Sequence, residues 1–157
     1  MKNYENYVIM YKSRFLTDSE AFMKISTKGR YALRMLVDLA QNQSETYISL
    51  ADIAERQCIS KKYLEQIVPM LSKAGLIRTN RGNRGGYMLN VQPDKCTVGD
   101  VLRATEGSLA PVACLEYDEN TCPRKDDCIT LYVWSDFFRI TNEYFDGITL
   151  TDIINHK

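Results

Sequence analysis

Three cysteines, Cys114, Cys122 and Cys128, crowd into fifteen residues of a chain that has five in all. Seven residues separate the first pair and five the second, so there is no C-x-x-C, and the usual zinc-ribbon and thioredoxin spacings are absent. Thiolates on a loop can instead converge on iron, whose clusters take soft sulfur donors and normally four of them. Three are present, so a fourth donor would come from another side chain, a partner subunit or solvent. His156, the only histidine, lies next to last in the chain and is a poor choice. Free thiols, a zinc site and a thiol-disulfide sensor stay open beside the iron reading. Cys58 and Cys96 read as small buried apolar residues.

A second set of side chains suits a polyanion. In the stretch SLADIAERQCISKKYLEQIVPMLSKAGLIRTNRGNRGGYML, residues 49–89, Leu50, Ile53 and Ala54 mark a short helix capped by Ser49. The chain turns through Gln57, Cys58 and Ile59. Ser60 can cap a second helix whose apolar positions Leu64, Ile67, Val68, Leu71 and Ala74 recur at three and four, and Lys61, Lys62 and Gln66 fall on its other face. Pro69 inside it predicts a kink without a break. Gly75 ends it. Strands at 76–79 and 87–89 then flank a Gly-rich loop that carries Arg81 and Arg84. This order of helix, turn, helix and cationic hairpin is that of a winged helix-turn-helix. A helical pair with an ordinary hairpin is the bland alternative.

The elements that must position these groups flank the motif. TKGRYALRMLVDLAQN, residues 27–42, predicts an amphipathic helix burying Tyr31, Leu33, Leu36, Val37 and Ala40. Lys28, Arg30 and Arg34 stand in its early turns, where the helix dipole does not favour cations and DNA phosphate or plain solvent must hold them. Tyr47 and Ile48 can add a short strand edge. Thr97 and Asp100 form a capping box for a helix ending at Gly107. A loop over about 108–127 holds the clustered cysteines. A long helix over 129–145 follows, with Leu131, Trp134, Phe137, Phe138, Thr141, Tyr144 and Phe145 in one stripe, more aromatic surface than a small domain needs for its own core. Pairing of two copies is the functional reading, since two-fold DNA sites call for two-fold proteins. Thr149 and Asp152 open a last short turn of helix.

At 157 residues the chain can build one real core with a small appendage. Lys and Arg equal Asp and Glu at 20 each, but residues 24–90 carry 11 basic against 5 acidic and residues 91–157 carry 6 against 12. The basic half holds the helix-turn-helix and the acidic half does something else. No apolar run approaches the ~20 residues of a membrane span, and no signal-type core opens the chain, so a cytoplasmic protein is expected. The expected division is an N-terminal extension at 1–22, a DNA-binding domain at 23–92 and a cysteine-loop and dimerisation region at 93–157. An enzyme with Cys114 as nucleophile would lack a base, and no glycine-rich nucleotide fingerprint exists, so catalysis is not expected.

From Met23 onward the chain resembles the IscR-type regulators, the family of small winged-helix transcription factors that includes iron-sulfur, nitric-oxide and cysteine-metabolism sensors. The resemblance is carried by MKISTKGRYALRML at 23–36, SLADIAERQCISKKYLEQI at 49–67, KAGLIRTNRGNRGGYML at 73–89 and TVGDVLRATEG at 97–107, and by CLEYDENTCPRKDDCITLYVW at 114–134 and ITLTDII at 148–154. It implies a mainly α fold with a small β wing and a long dimerisation helix, and a homodimer on operator DNA, often a repressor. It also implies a [2Fe-2S] or [4Fe-4S] cluster on Cys114, Cys122 and Cys128. One branch has a histidine three residues beyond the last cysteine, where this chain has Leu131. Another has an aspartate in the first helix, where Arg30 stands. The resemblance therefore supplies no fourth ligand. The DNA-facing set expected is Lys28, Arg30, Ser60, Lys61, Lys62, Tyr63, Gln66, Arg78, Arg81 and Arg84, with Glu65 placed to accept from a cytosine amino group. The alternative is a cluster-free regulator of the same fold that answers to thiol oxidation or to a partner protein.

Overall fold

The computed structural model describes residues 25–82, 85–117 and 119–156. The extension at 1–22 and the wing-tip Arg84 lie outside them. Helix α1 (Thr27–Gln41) starts where the Ser26 hydroxyl accepts from the Lys28 and Gly29 amides, meeting two donors that the first helical turn leaves open. Helices α2 (Leu50–Gln57) and α3 (Lys61–Lys73) follow, each capped by the serine expected, Ser49 and Ser60. The helix α3 runs through Pro69 without interruption, and Pro69 faces solvent. It gives way at Gly75, whose φ of +73° is the left-handed value a helix-ending glycine takes without a Cβ penalty.

Strands β1 (Ile77–Asn80) and β2 (Gly86–Leu89) pair antiparallel, with Arg78 opposite Met88 and Asn80 opposite Gly86. Ile48 joins β2 by a single antiparallel bridge to Tyr87, as the strand-edge expectation has it. That close approach needs Gly86, where a Cβ would meet the Ile48 carbonyl oxygen at 2.3 Å.

Helix α4 (Val98–Glu106) opens on the expected Thr97/Asp100 capping box and stops at Gly107. After a single 3-10 turn at Ala113–Leu115 comes the long helix α5 (Leu131–Asp146), and a second capping box, Thr149/Asp152, starts α6 (Leu150–Asn155). The end of the chain returns to the beginning of α4: Val98 N–H donates to Ile148 O at 2.8 Å and Leu150 N–H to Cys96 O at 2.9 Å.

The centre of the fold is α1, against which α2, α3, β2, α4 and α6 all pack. Its buried side chains are Ala32, Met35, Leu36, Asp38 and Leu39. The expected inner face is thus corrected: Leu36 is buried, but Tyr31, Leu33, Val37 and Ala40 are only half-buried, because the innermost stripe is Ala32, Met35, Leu36 and Leu39 and the expected residues flank it. Leu64, Ile67, Leu71, Val101 and Leu150 complete the same core. Each fully buried Leu or Ile contributes roughly 1.5–3 kcal/mol by leaving water. Among the described residues no helix is long and apolar enough to cross a membrane.

Candidate nucleic-acid interface and cysteine loop

The stability of α3 comes from its inner face, and its polar chemistry sits on the outer one. Leu64, Ile67, Val68 and Leu71 of α3 are buried, whereas Lys61, Lys62, Glu65 and Gln66 are exposed. Those four positions recur at one and four, so they form one stripe of two ammonium groups, a carboxylate and an amide. This is a donor-acceptor set able to meet phosphates and base edges. Ser60 heads the stripe with its hydroxyl accepting from the Tyr63 amide at 3.2 Å. Tyr63 is half-buried, its ring edge-on to Tyr31 at 5.3 Å between centroids. Arg78 and Arg81 are exposed on the hairpin that continues directly from α3.

Lys28 and Arg30 lie at the start of α1. There the helix N-terminus has an anionic neighbour that the sequence did not reveal. Glu106, the last residue of α4, accepts from the Ser26 hydroxyl at 2.6 Å and from the Gly29 amide at 3.2 Å. A carboxylate at a helix N-terminus is favoured by the dipole. Gly29 leaves room for it, since a Cβ there would lie 2.5 Å from Glu106 Oε1. Arg30 donates to Thr27 Oγ1 at 3.0 Å on the exposed side.

The turn between α2 and α3 is tied to α1 by a polar clamp that sequence reading also missed. Asp38, 1% exposed, accepts from Arg56 Nε at 2.9 Å and Nη2 at 2.7 Å and from Gln57 Nε2 at 3.0 Å. Arg34 donates to the Gln57 side chain at 3.2 Å and to the Gln57 carbonyl. The only hint was an aspartate amid apolar residues in LVDLA, which reads equally well as a solvated position. Cys58 follows, with φ +52°, exposed. The expectation that it is buried is corrected: the chain reverses direction here in a left-handed conformation, on the outside of the turn. Cys96 is buried as expected, and burial, with Asp100 beside it, pushes its thiol up to about 11.

Cys114, Cys122 and Cys128 are half-buried free thiols on the segment between α4 and α5. Their chemistry suits iron, but among the described residues no three His, Cys, Asp or Glu side chains stand close enough to share one ion. The donor set fits a cluster only after the loop draws its sulfurs together. The Cys128 thiol is held below its ordinary value first by the Thr130 hydroxyl, 3.5 Å away, and then by the Thr130 amide.

Beyond the loop, α5 buries none of its residues. Tyr132, Trp134, Phe137, Ile140 and Tyr144 are exposed along it. A hollow of about 520 Å³ lined by Ile25, Leu109, Phe137, Ile140, Tyr144 and Phe145 lies at its junction with the end of α4.

A family profile described as "Rrf2: Iron-dependent Transcriptional regulator" matches residues 25–156. The chain is 41% identical to protein rrf2 of Nitratidesulfovibrio vulgaris over 132 residues, covering 84% of this chain and 87% of that one. It is 39% identical to the HTH-type transcriptional regulator IscR of Aliivibrio salmonicida over 132 residues, covering 84% and 77%. The structure of CymR, the global cysteine regulator of Bacillus subtilis, superposes with a TM-score of 0.69 at 39% identity, covering 87% of this chain and 99% of that one.

Proposed function

Because the chain belongs to the Rrf2 family, a family of DNA-binding transcriptional regulators and not of enzymes, we propose that two copies grip one operator duplex as a repressor whose hold is set by an iron-sulfur cluster on the cysteine loop. The observation that carries the DNA half of this reading is the exposed stripe Lys61, Lys62, Glu65 and Gln66 on a helix whose other face is locked into the core. A rigid helix with donors on its free face is what a major groove of ~12 Å admits. Ser60, at the head of the stripe, and Tyr63 would approach the backbone beside it. Arg78, Arg81 and Arg84 would contact phosphates or the minor groove from the wing, and Lys28 and Arg30 would reach phosphates from the start of α1. The exposed apolar face of α5 would cover its counterpart in the second copy.

Residues 23–92 then act as the reading domain and 93–157 as the sensing and pairing region. The division is one of roles, since α4 and α6 share the core with α1. Cys114, Cys122 and Cys128 would hold the cluster; the description of the family as iron-dependent supports this. When bound, the cluster supplies a redox- and ligand-sensitive iron centre. The chain's part is to change the order of the loop that follows Gly107. Glu106 joins that loop directly to the N-terminus of α1.

Binding of operator DNA across a salt series tests the first half. Lys61→Ala and Arg81→Ala should each weaken binding to all sequences alike and lower the salt slope by about one unit. Unchanged affinity and slope in both would sink the interface. Anaerobic reconstitution tests the second half: an iron-dependent visible absorption should appear and be lost in Cys122→Ser. The cluster-free reading draws support from the likeness to CymR, the global cysteine regulator of Bacillus subtilis. Metal analysis of freshly prepared protein separates the two.

A further inference from the structure

The long helix α5 has the geometry of a lever with one fixed end. None of its residues is buried, and its principal packing partner is α4. At the last turn of α5 a single guanidinium spans two attachment points. Arg103 of α4 donates from Nη1 to Asn142 Oδ1 at 3.2 Å and to Asp146 Oδ2 at 3.3 Å, and from Nη2 to Asp146 Oδ1. Asp100, one turn earlier on α4, stands 3.6 Å from the same guanidinium. Asn142 is itself held, donating to the Phe138 carbonyl at 2.8 Å. Gly99 makes the seat: it is buried, and a Cβ there would lie 1.9 Å from Asp146 Oδ1 and 2.8 Å from Arg103 Nη2. A Cβ there would push the Asp146 carboxylate and the guanidinium off their present positions.

Two anchors one helical turn apart fix both the tilt and the roll of a helix, which one contact could not do. A planar fork holds both acceptors in one fixed orientation; an ammonium on a flexible stem can reach them but does not fix their directions. The lever then amplifies. Sixteen residues span about 24 Å at ~1.5 Å per residue, so a tilt of about 10° at the anchored end moves the far end by about 4 Å. That exceeds the ~3.4 Å between successive base pairs.

We propose that Arg103 is a positioning residue: its fork on Asp146 and Asn142, seated on Gly99, sets the angle at which α5 leaves the reading head, and so the half-site spacing that two copies can bridge. The proposal rests on the reading that α5 pairs two copies on one duplex.

The test uses the full chain. A duplex is selected from random DNA by the wild-type protein, and its spacer is then lengthened and shortened by one and two base pairs. Wild type should bind the selected spacer about tenfold better than its neighbours at one base pair. Arg103→Lys, which keeps the charge and the stem, and Arg103→Ala should lose most of that preference, binding the selected and neighbouring spacers within about threefold of one another. Arg139→Ala, which removes an arginine paired with Asp136 and Glu143 of α5 itself, should keep it. Sedimentation of each protein, free and on DNA, is read in parallel. A wild-type profile retained in both Arg103 variants overturns the proposal. Binding lowered by one factor on every spacer, with a lowered melting temperature, also overturns it, because the clamp would then be structural only. A single copy per duplex for wild type overturns the pairing reading itself, and sedimentation reports that separately from spacer preference.

Discussion

From Glu106 to Thr149 no described residue is fully buried, whereas every buried side chain lies at or before Thr105 or is Leu150. The exposed large apolar side chains divide the other way, and those described all fall between Tyr117 and Tyr144. The reading head is thus a finished core with its polar groups on the outside. The cysteine loop and α5 are an amphipathic apparatus with its apolar groups still in water, and such a surface marks a place where something else binds. Local order is not what separates the regions, since α5 is the longest helix described. The difference is what covers the side chains once the helix has formed: for the head it is the chain itself.

Truncation on either side of that boundary should give opposite signatures, and the largest effect belongs to the head. Leu64→Ala removes a fully buried side chain and should cost about 3–4 kcal/mol in urea unfolding. Phe137→Ala, 41% exposed, should leave the head's urea midpoint in dilute solution nearly unchanged and raise the dissociation constant between copies about tenfold, read by sedimentation. Equal loss of stability in the two would erase the distinction between the regions.

Alkaline titration sharpens the same contrast through the thiols. Cys96 has a folded value raised from 9.0 to about 11. Below pH 9.0 both folded and unfolded chains keep the proton, and stability is intact. Between about 9 and 11 only the unfolded chain releases it, so stability should fall by up to about 2.5 kcal/mol relative to Cys96→Ala, measured by urea midpoints across that range. At pH 8, alkylation followed by mass spectrometry should mark Cys58 and the three loop thiols and spare Cys96.

Asp38→Ala should cost somewhat less, about 2 kcal/mol. The carboxylate is buried and triply bonded, but Arg56 is 37% exposed and water takes over part of its solvation. The smallest effect is expected for Arg139→Ala, whose pairs with Asp136 and Glu143 lie in solvent on α5; its melting temperature should not move measurably.

Much of this was legible in the chain. The capping residues Ser49, Ser60, Thr97 and Thr149, the glycines at 75 and 107, and the apolar spacing of α3 all appear where the sequence places them. A cap or a helix-ending glycine acts within about four residues, so its signal is printed beside its effect. The exposed stripe of α3 follows from the same periodicity, because burying Leu64, Ile67 and Leu71 leaves Lys61, Lys62, Glu65 and Gln66 outside.

The errors share a cause too. Which side of α1 is innermost, whether Cys58 is covered and what stands beside Lys28 and Arg30 depend on the packing of several helices at once. The carboxylate of Asp38 meets its partners 18 and 19 residues away, Glu106 meets Gly29 across 77 residues, and Arg103 meets Asp146 across 43. The sequence alone determined the order of the elements, their ends and the outward face of the reading helix, because backbone hydrogen bonding and side-chain period are local. Only the tertiary structure decided which charges are clamped, which are free and how α5 is held, because a charge acquires its partner only when burial brings distant segments together.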